Sequence, residues 1–412
     1  MIQKKLEEKS AHKGDSENFA AALIHVMLDI MTDVMMNQFG NYLCQKLIEV
    51  APVSSIKQLV HSCLPYIIEV SMDLHGTRAI QTLVEVLGKE PAALHNEILA
   101  LGAEMSQYIF DLSTHPNGNH VIQEFLLTFK ASDAPEDCDR AGADAYAQYT
   151  QFIFNACMSY CDQIGSDKHG CCVMQRCLEK GLQSQKLALA DVIISRIHVL
   201  IEDAYGNYLV QNVLKLKSDL RNDQILNFIA GDFVRLSQLK FSSNVIEKCL
   251  ETNQAGVQID QIFKGTHFWD DQVIVRELGY QSRARPIRVN FIVQRLVTHQ
   301  FGNYVLQKAI AIVADPTLKN EMLESIKVLS GSLSQTKHGL KVLTKLQKTY
   351  PHIFAGGAAV ANKQKPQNNG IPVQMGSAQK KRSGNRKGQK ARQHQQARNQ
   401  AAQEQQRVAQ QH

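Results

Sequence analysis

The sequence predicts an all-α solenoid, and three observations support this fold class. Seven segments of one pattern align without gaps along the chain. Apolar residues recur at helical spacing within each segment, and the residues between segments carry a second helical pattern. Such units bury their apolar faces by stacking on their neighbours. The segments are NQFGNYLCQKLIE, DLHGTRAIQTLVE, HPNGNHVIQEFLL, DKHGCCVMQRCLE, DAYGNYLVQNVLK, LKFSSNVIEKCLE and HQFGNYVLQKAIA.

The spacing of the segments defines the repeat. We call the residue that follows the Gly of each segment (Ser in the sixth) the first position. Successive first positions lie 36, 42, 52, 36, 36 and 60 residues apart, so a 36-residue unit recurs and the other gaps contain insertions. We expect the two longest insertions, residues 129–150 and 266–289, to be surface loops on one edge of the array. The first is acidic, and the second contains Trp269 and four arginines.

Each segment is predicted to be a helix with one buried face. Asp73, Asp167 and Asp203 precede their segments and are suited to cap the helix start. The apolar residues fall at i, i+1, i+4 and i+5, which is a helical period. They include Leu43, Cys44, Leu47, Ile48, Ala79, Ile80, Leu83, Val84, Val173, Met174, Cys177, Leu178, Leu209, Val210, Val213 and Leu214.

Composition limits the class of protein. The chain has 412 residues, 44% of them hydrophobic, which is enough for a packed core. The net charge is +6, but from Gly356 onward it is +10, so the remainder is −4 and does not resemble a nonspecific phosphate binder. Nine scattered cysteines and a charged N-terminus without an apolar leader predict reduced thiols in the cytosol or nucleus. We expect no membrane span, and LALADVIISRIHVLI is interpreted as a buried helix.

Three positions vary while the apolar stripe does not: the first position, the next residue (the middle position) and the residue four after the first (the third position). The first and third are i and i+4 and so project from one helix face. The trios are Asn41/Tyr42/Gln45, Thr77/Arg78/Gln81, Asn119/His120/Gln123, Cys171/Cys172/Gln175, Asn207/Tyr208/Gln211, Ser243/Asn244/Glu247 and Asn303/Tyr304/Gln307.

Polar pairs that flank a planar or cationic residue match the needs of single-stranded RNA recognition. A ring or guanidinium plane stacks on a base, and the flanking side chains hydrogen-bond its Watson–Crick edge. One such trio would be equally consistent with a solvated helix face. Seven in the same register, six of them with Gln at the third position, favour a set of base-contacting sites.

The segments resemble the second helices of Pumilio (PUF) repeats up to about Leu346. This resemblance implies a curved, right-handed superhelical solenoid, similar to armadillo proteins, in which each repeat binds one base and the repeats run antiparallel to the RNA. It also implies uracil for Asn with Gln, guanine for Ser with Glu, and adenine for Cys or Ser with Gln. A carboxylate can accept from guanine N1–H and N2–H₂ together, which agrees with the guanine pairing.

Carried over position by position, the resemblance implies a site close to 5′-UGUAUAU. Asn303/Gln307 would recognise the first U, Ser243/Glu247 the G and Asn207/Gln211 the next U. Cys171/Gln175 and Thr77/Gln81 would recognise A, and Asn119/Gln123 and Asn41/Gln45 would recognise U. The middle residues Tyr42, Arg78, His120, Cys172, Tyr208, Asn244 and Tyr304 would stack on the bases.

The chain departs from the eight-repeat pattern at several places. Residues 1–7 match part of one further helix, in which Gln3 would be a third-position residue. After the seventh segment, Leu340, Lys341 and Thr344 occupy the three positions and cannot recognise a base edge, so we expect a terminal cap. Cys172 offers no stacking plane, which leads us to expect that one extra base after UGUA is tolerated.

Two other classes of function compete with this interpretation. A protein-binding solenoid of the armadillo or HEAT type also stacks helical units, but it does not require the repeated polar pair. An enzyme or zinc site would involve His169 with the nearby cysteines, yet His169 belongs to the repeat pattern. The spacing of Cys157, Cys161, Cys171 and Cys177 matches no zinc motif, so we predict no metal, cofactor or catalytic site.

The resemblance also implies a biological role. It suggests binding to mRNA 3′ untranslated regions, translational repression or mRNA decay through deadenylase or repressor complexes, a cytoplasmic location and a monomer. We expect residues 1–350 to form the repeat domain and residues 351–412 a disordered basic tail, which could add weak RNA affinity, direct nuclear import or be solvated without a dedicated role. The insertion at 266–289 could contact a partner protein or RNA phosphates.

Overall fold

A computed structural model describes residues 13–130, 140–252, 255–265, 272–279, 281 and 284–354. All of them precede the division of the chain into two units at residues 358 and 359. Throughout the described ranges the regular structure is helical, which confirms the predicted all-α class. Gln3 and almost all of the predicted tail lie outside these residues.

The α-helices of the described ranges differ widely in length. In chain order they are α1 (Lys13–Met27), α2 (Met31–Met36), α3 (Gly40–Val50), α4 (Val53–Cys63), α5 (Ile67–Met72), α6 (Gly76–Leu87), α7 (His95–Ser106), α8 (Ile109–Thr114), α9 (Gly118–Thr128), α10 (Arg140–Ser159), α11 (Cys161–Gly165), α12 (Gly170–Lys180), α13 (Gln183–Ser195), α14 (Ile197–Leu200), α15 (Gly206–Leu214), α16 (Asp219–Ala230), α17 (Phe233–Gln238), α18 (Ser242–Cys249), α19 (Ala255–Lys264), α20 (Gln272–Leu278), α21 (Arg285–Val297), α22 (Gly302–Ile312), α23 (Pro316–Val328), α24 (Ser330–Leu333), α25 (Lys337–Thr349) and α26 (Pro351–Phe354). Short helices such as α14, with 4 residues, lie between two longer ones.

Most units contain a long A helix, a short helix and a B helix that begins at or near the segment's Gly. The B helices of units one to eight are α3, α6, α9, α12, α15, α18, α22 and α25. Each B helix packs against the next one, and the A helices pack in a second layer. The predicted apolar stripe lies between the layers: Leu47, Leu83, Cys177 and Val213 are fully buried. Each such side chain contributes roughly 1.5–3 kcal/mol of burial energy where it is fully withdrawn from water.

Side-chain caps fix the start of the B helices other than α18, whose unit has Leu239 at the capping position. The Asp73 carboxylate accepts from the backbone N–H of His75 and Gly76, both at 2.8 Å, as the sequence predicted, and Asp167 and Asp203 do the same in their units. Asn37 fills this role in unit one, and the neutral imidazole of His299 in unit seven. Burial lowers the pKa of His299, which keeps its ring nitrogen available as an acceptor.

The segment's Gly, at or near the start of the B helix, lies tightly against the helix that precedes it. A Cβ placed on Gly206 would come within 2.9 Å of both the main-chain oxygen and Cδ2 of Leu200. Unit six has Ser242 at this position, and its hydroxyl donates to the Leu236 carbonyl at 2.6 Å. The serine therefore converts a close approach to the equivalent carbonyl into a hydrogen bond, which explains why the pattern tolerates this single departure from glycine.

The two insertions are not simply surface loops, so this expectation is wrong for the parts that the structure describes. Residues 140–150 belong to α10, and Tyr149 and Thr150 are buried. In the second insertion, α20 and the start of α21 pack against the array: Ile274 is fully buried, and Arg288 is 1% exposed with its Nε donating to the Ile262 carbonyl at 2.7 Å. Residues 131–139 and 266–271, including Trp269, lie outside the described ranges.

One stretch, Asp15–Met36, is long and apolar enough to cross a membrane by length and composition alone. The expectation that no run reaches this length is wrong by that criterion. The stretch comprises α1, a 3₁₀ turn and α2 of unit one, and its buried residues Ala20, Ile24, Met31 and Met35 belong to the continuous core. Packing against unit two is thus a sufficient reason for these buried residues to be apolar. The segment LALADVIISRIHVLI forms α13 and α14 with buried inner faces, as predicted.

The contact at Gly206 leads to a stability prediction. Gly206→Ala should lower the free energy of unfolding by about 1–3 kcal/mol, because the added methyl group overpacks against Leu200. Gly206→Ser should recover about 0.5–1.5 kcal/mol of that loss by donating to the carbonyl, as Ser242 does. Urea unfolding followed by circular dichroism measures both. Gly331→Ala is the control, since nothing lies within 4 Å of its added Cβ; equal effects of the two alanine variants would contradict the explanation.

Candidate nucleic-acid interface

The seven trios lie at the same place on consecutive B helices. Their middle residues are all exposed; Tyr42, Tyr208 and Tyr304 are 61%, 51% and 53% exposed. The other exposed middle residues are Arg78, His120, Cys172 and Asn244. Because the B helices stack in chain order, these residues form one row along the outer surface of a single layer. The tyrosine rings, His120 and Arg78 supply planes on which bases can stack.

The first-position asparagines are buried and have a fixed orientation. Asn41, Asn119, Asn207 and Asn303 are between 1% and 4% exposed. In each, Nδ2 donates to the two backbone carbonyls three and four residues earlier; for Asn207 these are Ala204 at 3.0 Å and Asp203 at 2.9 Å. A carbonyl oxygen accepts hydrogen bonds and cannot donate them, so each asparagine must direct Nδ2 toward the turn and its Oδ1 away from the turn.

The oriented asparagine oxygen holds the third-position glutamine. Nε2 donates to the asparagine Oδ1 at 3.0 Å for Gln45, 2.9 Å for Gln123, 3.0 Å for Gln211 and 3.1 Å for Gln307. These glutamines are half-buried, and the bond to the asparagine Oδ1 uses one Nε2 hydrogen and leaves Oε1 unused. In unit seven, Gln307 Nε2 also donates to the Asn303 backbone carbonyl at 3.0 Å. One acceptor and one donor side by side complement the N3–H and a neighbouring carbonyl of uracil.

Unit six presents a carboxylate at the third position. The Ser243 hydroxyl donates to the Lys240 carbonyl at 3.3 Å, so it does not hold Glu247 as the asparagines hold their glutamines. Burial raises the pKa of Glu247, Glu251 raises it further, and Lys308 and Lys345 oppose the rise. The carboxylate of Glu247 can accept two parallel N–H groups, which is the pattern of the guanine edge.

Units two and four differ from the asparagine units. The Thr77 hydroxyl donates to the Asn117 carbonyl of unit three at 3.1 Å, and Gln81, held by Thr77, is buried. In unit four, Cys171 is buried, and Gln175 reaches its sulfur at 3.9 Å. The pKa of Cys172 is lowered to about 7, first by the hydrogen bond from Cys171 and then by nearby cations, whereas that of Cys171 is raised.

The structure brings the predicted residues together on one layer, with a division of positions that sequence reasoning missed. The first position lies inside the layer, the middle position is exposed, and the third position is half-buried except for the buried Gln81. Contact between a first-position side chain and a base edge therefore stays a prediction. Lys308 and Lys345 beside Glu247 were also missed because they come from units seven and eight. The sequence feature that could have predicted them is a basic residue five places after the first position, which occurs in five units: Lys46, Arg176, Lys248, Lys308 and Lys345.

The terminal unit continues the stack of B helices, and Cys177 lies in the predicted apolar stripe. In α25, which packs on α22, Leu340 is 50% exposed and the Thr344 hydroxyl donates to the Leu340 carbonyl, consistent with a cap. Cys177 is fully buried in the apolar stripe. Among the described residues, no three His, Cys, Asp or Glu side chains converge to form a metal-binding group.

Comparison with known proteins identifies relatives across most of the chain. A sequence model described as "Pumilio-family RNA binding repeat" matches residues 31–62, 66–90, 108–131, 160–194, 196–230, 232–265 and 293–326. Pumilio homolog 12 of Arabidopsis thaliana is 32% identical over 333 residues, which cover 79% of this chain and 48% of that protein. A Pumilio domain-containing protein of Schizosaccharomyces pombe is 29% identical over 350 residues, covering 85% and 44%. The chain therefore spans about half the length of these curated relatives.

Solved structures match the fold. The Puf4 RNA binding domain bound to the HO endonuclease RNA 3′ UTR recognition sequence is 28% identical, with a TM-score of 0.66 over 83% of this chain and 94% of that one. The RNA-binding domain of yeast Puf5p bound to SMX2 RNA is 24% identical, with a TM-score of 0.64 over 85% and 94%, which supports the fold alone. Together with the repeat matches, these neighbours confirm a solenoid of helical repeats.

The buried asparagine orientation can be tested by its effect on stability. Asn207→Asp should lower the free energy of unfolding by about 1–3 kcal/mol, because two carbonyls lose the side-chain Nδ2 donor and face a carboxylate instead. Asn207→Ser should be milder, since Ser243 already donates to a turn carbonyl in unit six. Chemical denaturation of the three proteins measures the difference. If the Asp variant were as stable as the wild type, the amide orientation would be wrong.

Proposed function

The chain belongs to the Pumilio family, because the family's repeat model matches more than half of it, and we propose that it binds single-stranded RNA sequence-specifically, one base per unit. The observation that carries this proposal is the asparagine–glutamine pair, which recurs in four units with the same hydrogen bonds. A bond geometry repeated at each step of the stack provides the same edge for successive bases. The exposed middle residues add stacking energy of roughly 1–3 kcal/mol per base.

The proposed site begins with 5′-UGUA and is close to UGUAUAU. The asparagine–glutamine units present one acceptor and one donor and should select uracil, and Glu247 should select guanine through its two oxygens. Unit four has the smaller Cys171 in place of asparagine, which leaves room for the larger adenine ring. Cys172 supplies no plane there, so one extra nucleotide should be tolerated after UGUA. The assignment of adenine to unit two is supported only by Gln81, since the hydroxyl of Thr77 is engaged with unit three.

The biological consequence is proposed from the family and from the RNA named in the solved neighbours. The Puf4 domain is bound to a 3′ UTR recognition sequence, and we extend this class of target to mRNA bound by the present chain. We propose that binding leads to repression or decay through recruited deadenylase or repressor proteins in the cytoplasm, and that one copy binds one site. No catalytic step is required of the chain itself.

A paired substitution tests the register. Ser243→Asn with Glu247→Gln should change the second selected base from G to U, because it installs the uracil-binding pair in unit six. Selection from a random RNA pool should return UGUAUAU for the wild type, with a subset carrying one nucleotide after UGUA, and UUUAUAU for the variant. Each protein should lose roughly 1–3 kcal/mol on the other's RNA. The third base provides an internal control, and an unchanged second base would refute the assignment.

The raised pKa of Glu247 predicts pH-dependent binding. Guanine donates to the ionised carboxylate, so the free protein must lose any proton from Glu247 before it binds. Affinity for UGUAUAU should therefore be constant at neutral pH and weaken as the pH falls through the elevated pKa of Glu247. Anisotropy titrations from about pH 8 to about pH 5 measure this, the lower limit lying just above the ordinary glutamate pKa. Glu247→Gln, tested on RNA with A at the second base, should lack the dependence; an equal dependence would assign it elsewhere.

A further inference from the structure

A fourth row of residues runs along the B-helix layer beside the trios. It consists of the residue five places after each first position, which we call the fifth position. In units one to eight the fifth positions are Lys46, Thr82, Glu124, Arg176, Asn212, Lys248, Lys308 and Lys345. Thr82 and Asn212 are buried, whereas the charged members are half-buried or exposed. Charged side chains in this row are therefore accessible to a ligand bound along the trios.

Contacts between neighbouring units place this row next to the base-contacting residues. Lys308 of unit seven pairs with Glu251 of unit six at 2.7 Å. Lys308 and Lys345 are also close enough to Glu247 to oppose the rise of its pKa. In unit three, Glu124 is influenced by Glu85 of unit two and Arg176 of unit four. Glu124, Lys308 and Lys345 thus lie within electrostatic range of charged residues in adjacent units.

The charge on this surface changes sign along the layer. We add the residue three places after each fifth position to the charge count. This residue is the acidic partner of the fifth-position cation in the ion pairs Lys46–Glu49, Arg176–Glu179 and Lys248–Glu251. The two rows together sum to −2 in units one to four and +4 in units five to eight. The negative end is concentrated at Glu85 and Glu124, and burial and Glu85 both raise the pKa of Glu124. The positive end includes Lys215, Lys308, Lys345 and Lys348.

The existing ion pairs do not prevent the cations from binding another anion. The side chains of Lys248 and Glu251 are 40% and 47% exposed, and those of Arg176 and Glu179 are 31% and 50% exposed. Exposed pairs of this kind contribute only about 0–1 kcal/mol. An RNA phosphate that reaches the row can therefore bind a cation together with its carboxylate partner, or in place of that partner, at little cost. Release of the counterions of that phosphate also favours binding.

We propose that the fifth-position cations of units six to eight bind the phosphates of the 5′ part of the RNA site, and that Glu85 and Glu124 disfavour phosphate contact at its 3′ part. This inference rests on the proposed function and on the antiparallel direction of the RNA. Its consequence is a division of the binding energy. The UGU portion is held by base and phosphate contacts, whereas the bases over units two and three are held by base contacts and stacking alone.

The lysine part of the inference is tested by salt dependence. Lys308→Gln with Lys345→Gln should reduce the slope of log Kd against log salt by about 0.7 for each lost phosphate contact. It should weaken binding of matched and mismatched RNAs by a similar factor, because phosphates carry no sequence information. Lys319→Gln with Lys327→Gln is the matched control: it removes the same charge from α23, and Lys327 also pairs with an acid three residues away.

The glutamate part is tested by RNA length. Glu85→Gln with Glu124→Gln should tighten binding of UGUAUAU severalfold, because repulsion of the 3′ phosphates is removed. The same variant should leave the affinity for UGUA unchanged, since that RNA does not reach units two and three. Both glutamine side chains keep an acceptor, so Thr128 can still donate at position 124. Equal tightening of both RNAs would overturn this part of the inference.

Different results would contradict sequence-specific RNA binding and the phosphate contacts of the fifth-position cations. If the wild type does not prefer UGUAUAU over a scrambled RNA of the same composition, the proposed function itself is wrong. If the wild type shows that preference but the Lys308/Lys345 variant and the Lys319/Lys327 control have the same slope of log Kd against log salt, only the proposed phosphate contacts are wrong. A loss of slope in the lysine variant alone, together with length-dependent tightening in the glutamate variant, supports both parts.

Discussion

The close approach between each B helix and the helix before it is the constraint on which the rest of the structure depends. A glycine or a serine is required at or near the start of the B helix, because its Cα faces the carbonyl oxygen or side chain of the residue six places earlier. This approach folds the intervening turn into one geometry. The turn then presents its carbonyls to the first-position side chain and its N–H groups to the capping residue. Helix direction, helix capping and the orientation of the asparagines all follow from one contact.

That contact also explains how a buried residue can influence the base selection that we propose. The first-position side chain can form hydrogen bonds with the carbonyls of the turn on one side and with the third-position side chain on the other. Asn207 uses its nitrogen on the turn and offers Gln211 an oxygen, whereas Ser243 uses its hydroxyl on the turn and leaves Glu247 unrestrained. The identity of the buried residue thus sets which atoms of the third position remain free to face the base that we propose for that unit. Burial makes the arrangement rigid, because an unpaired amide inside the layer would cost about 1–3 kcal/mol.

The insertions show where sequence patterns were insufficient. The segment that contains Arg288 has several arginines and the only tryptophan of the chain, and such a composition usually indicates a surface. The structure buries Arg288 because the Ile262 carbonyl accepts from its guanidinium group, and that carbonyl is brought there by α19 of the same unit. The apolar spacing of Val289, Ile292, Val293 and Leu296 was visible in the sequence, but their partners were not.

The sequence by itself determined the repeat, the helical class, the apolar stripe, the Asp73-type caps and the identity of all seven trios in the described residues, because each depends on local periodicity or on residues only a few places apart. Only the tertiary structure decided that the first positions are buried, that Thr77 is engaged by unit three, that Lys308 and Lys345 lie beside Glu247, and that the charge of the layer changes sign along a continuous surface. These features arise between residues that are tens of positions apart in the chain. Their distances are fixed by how successive helices stack, and no local pattern contains that information.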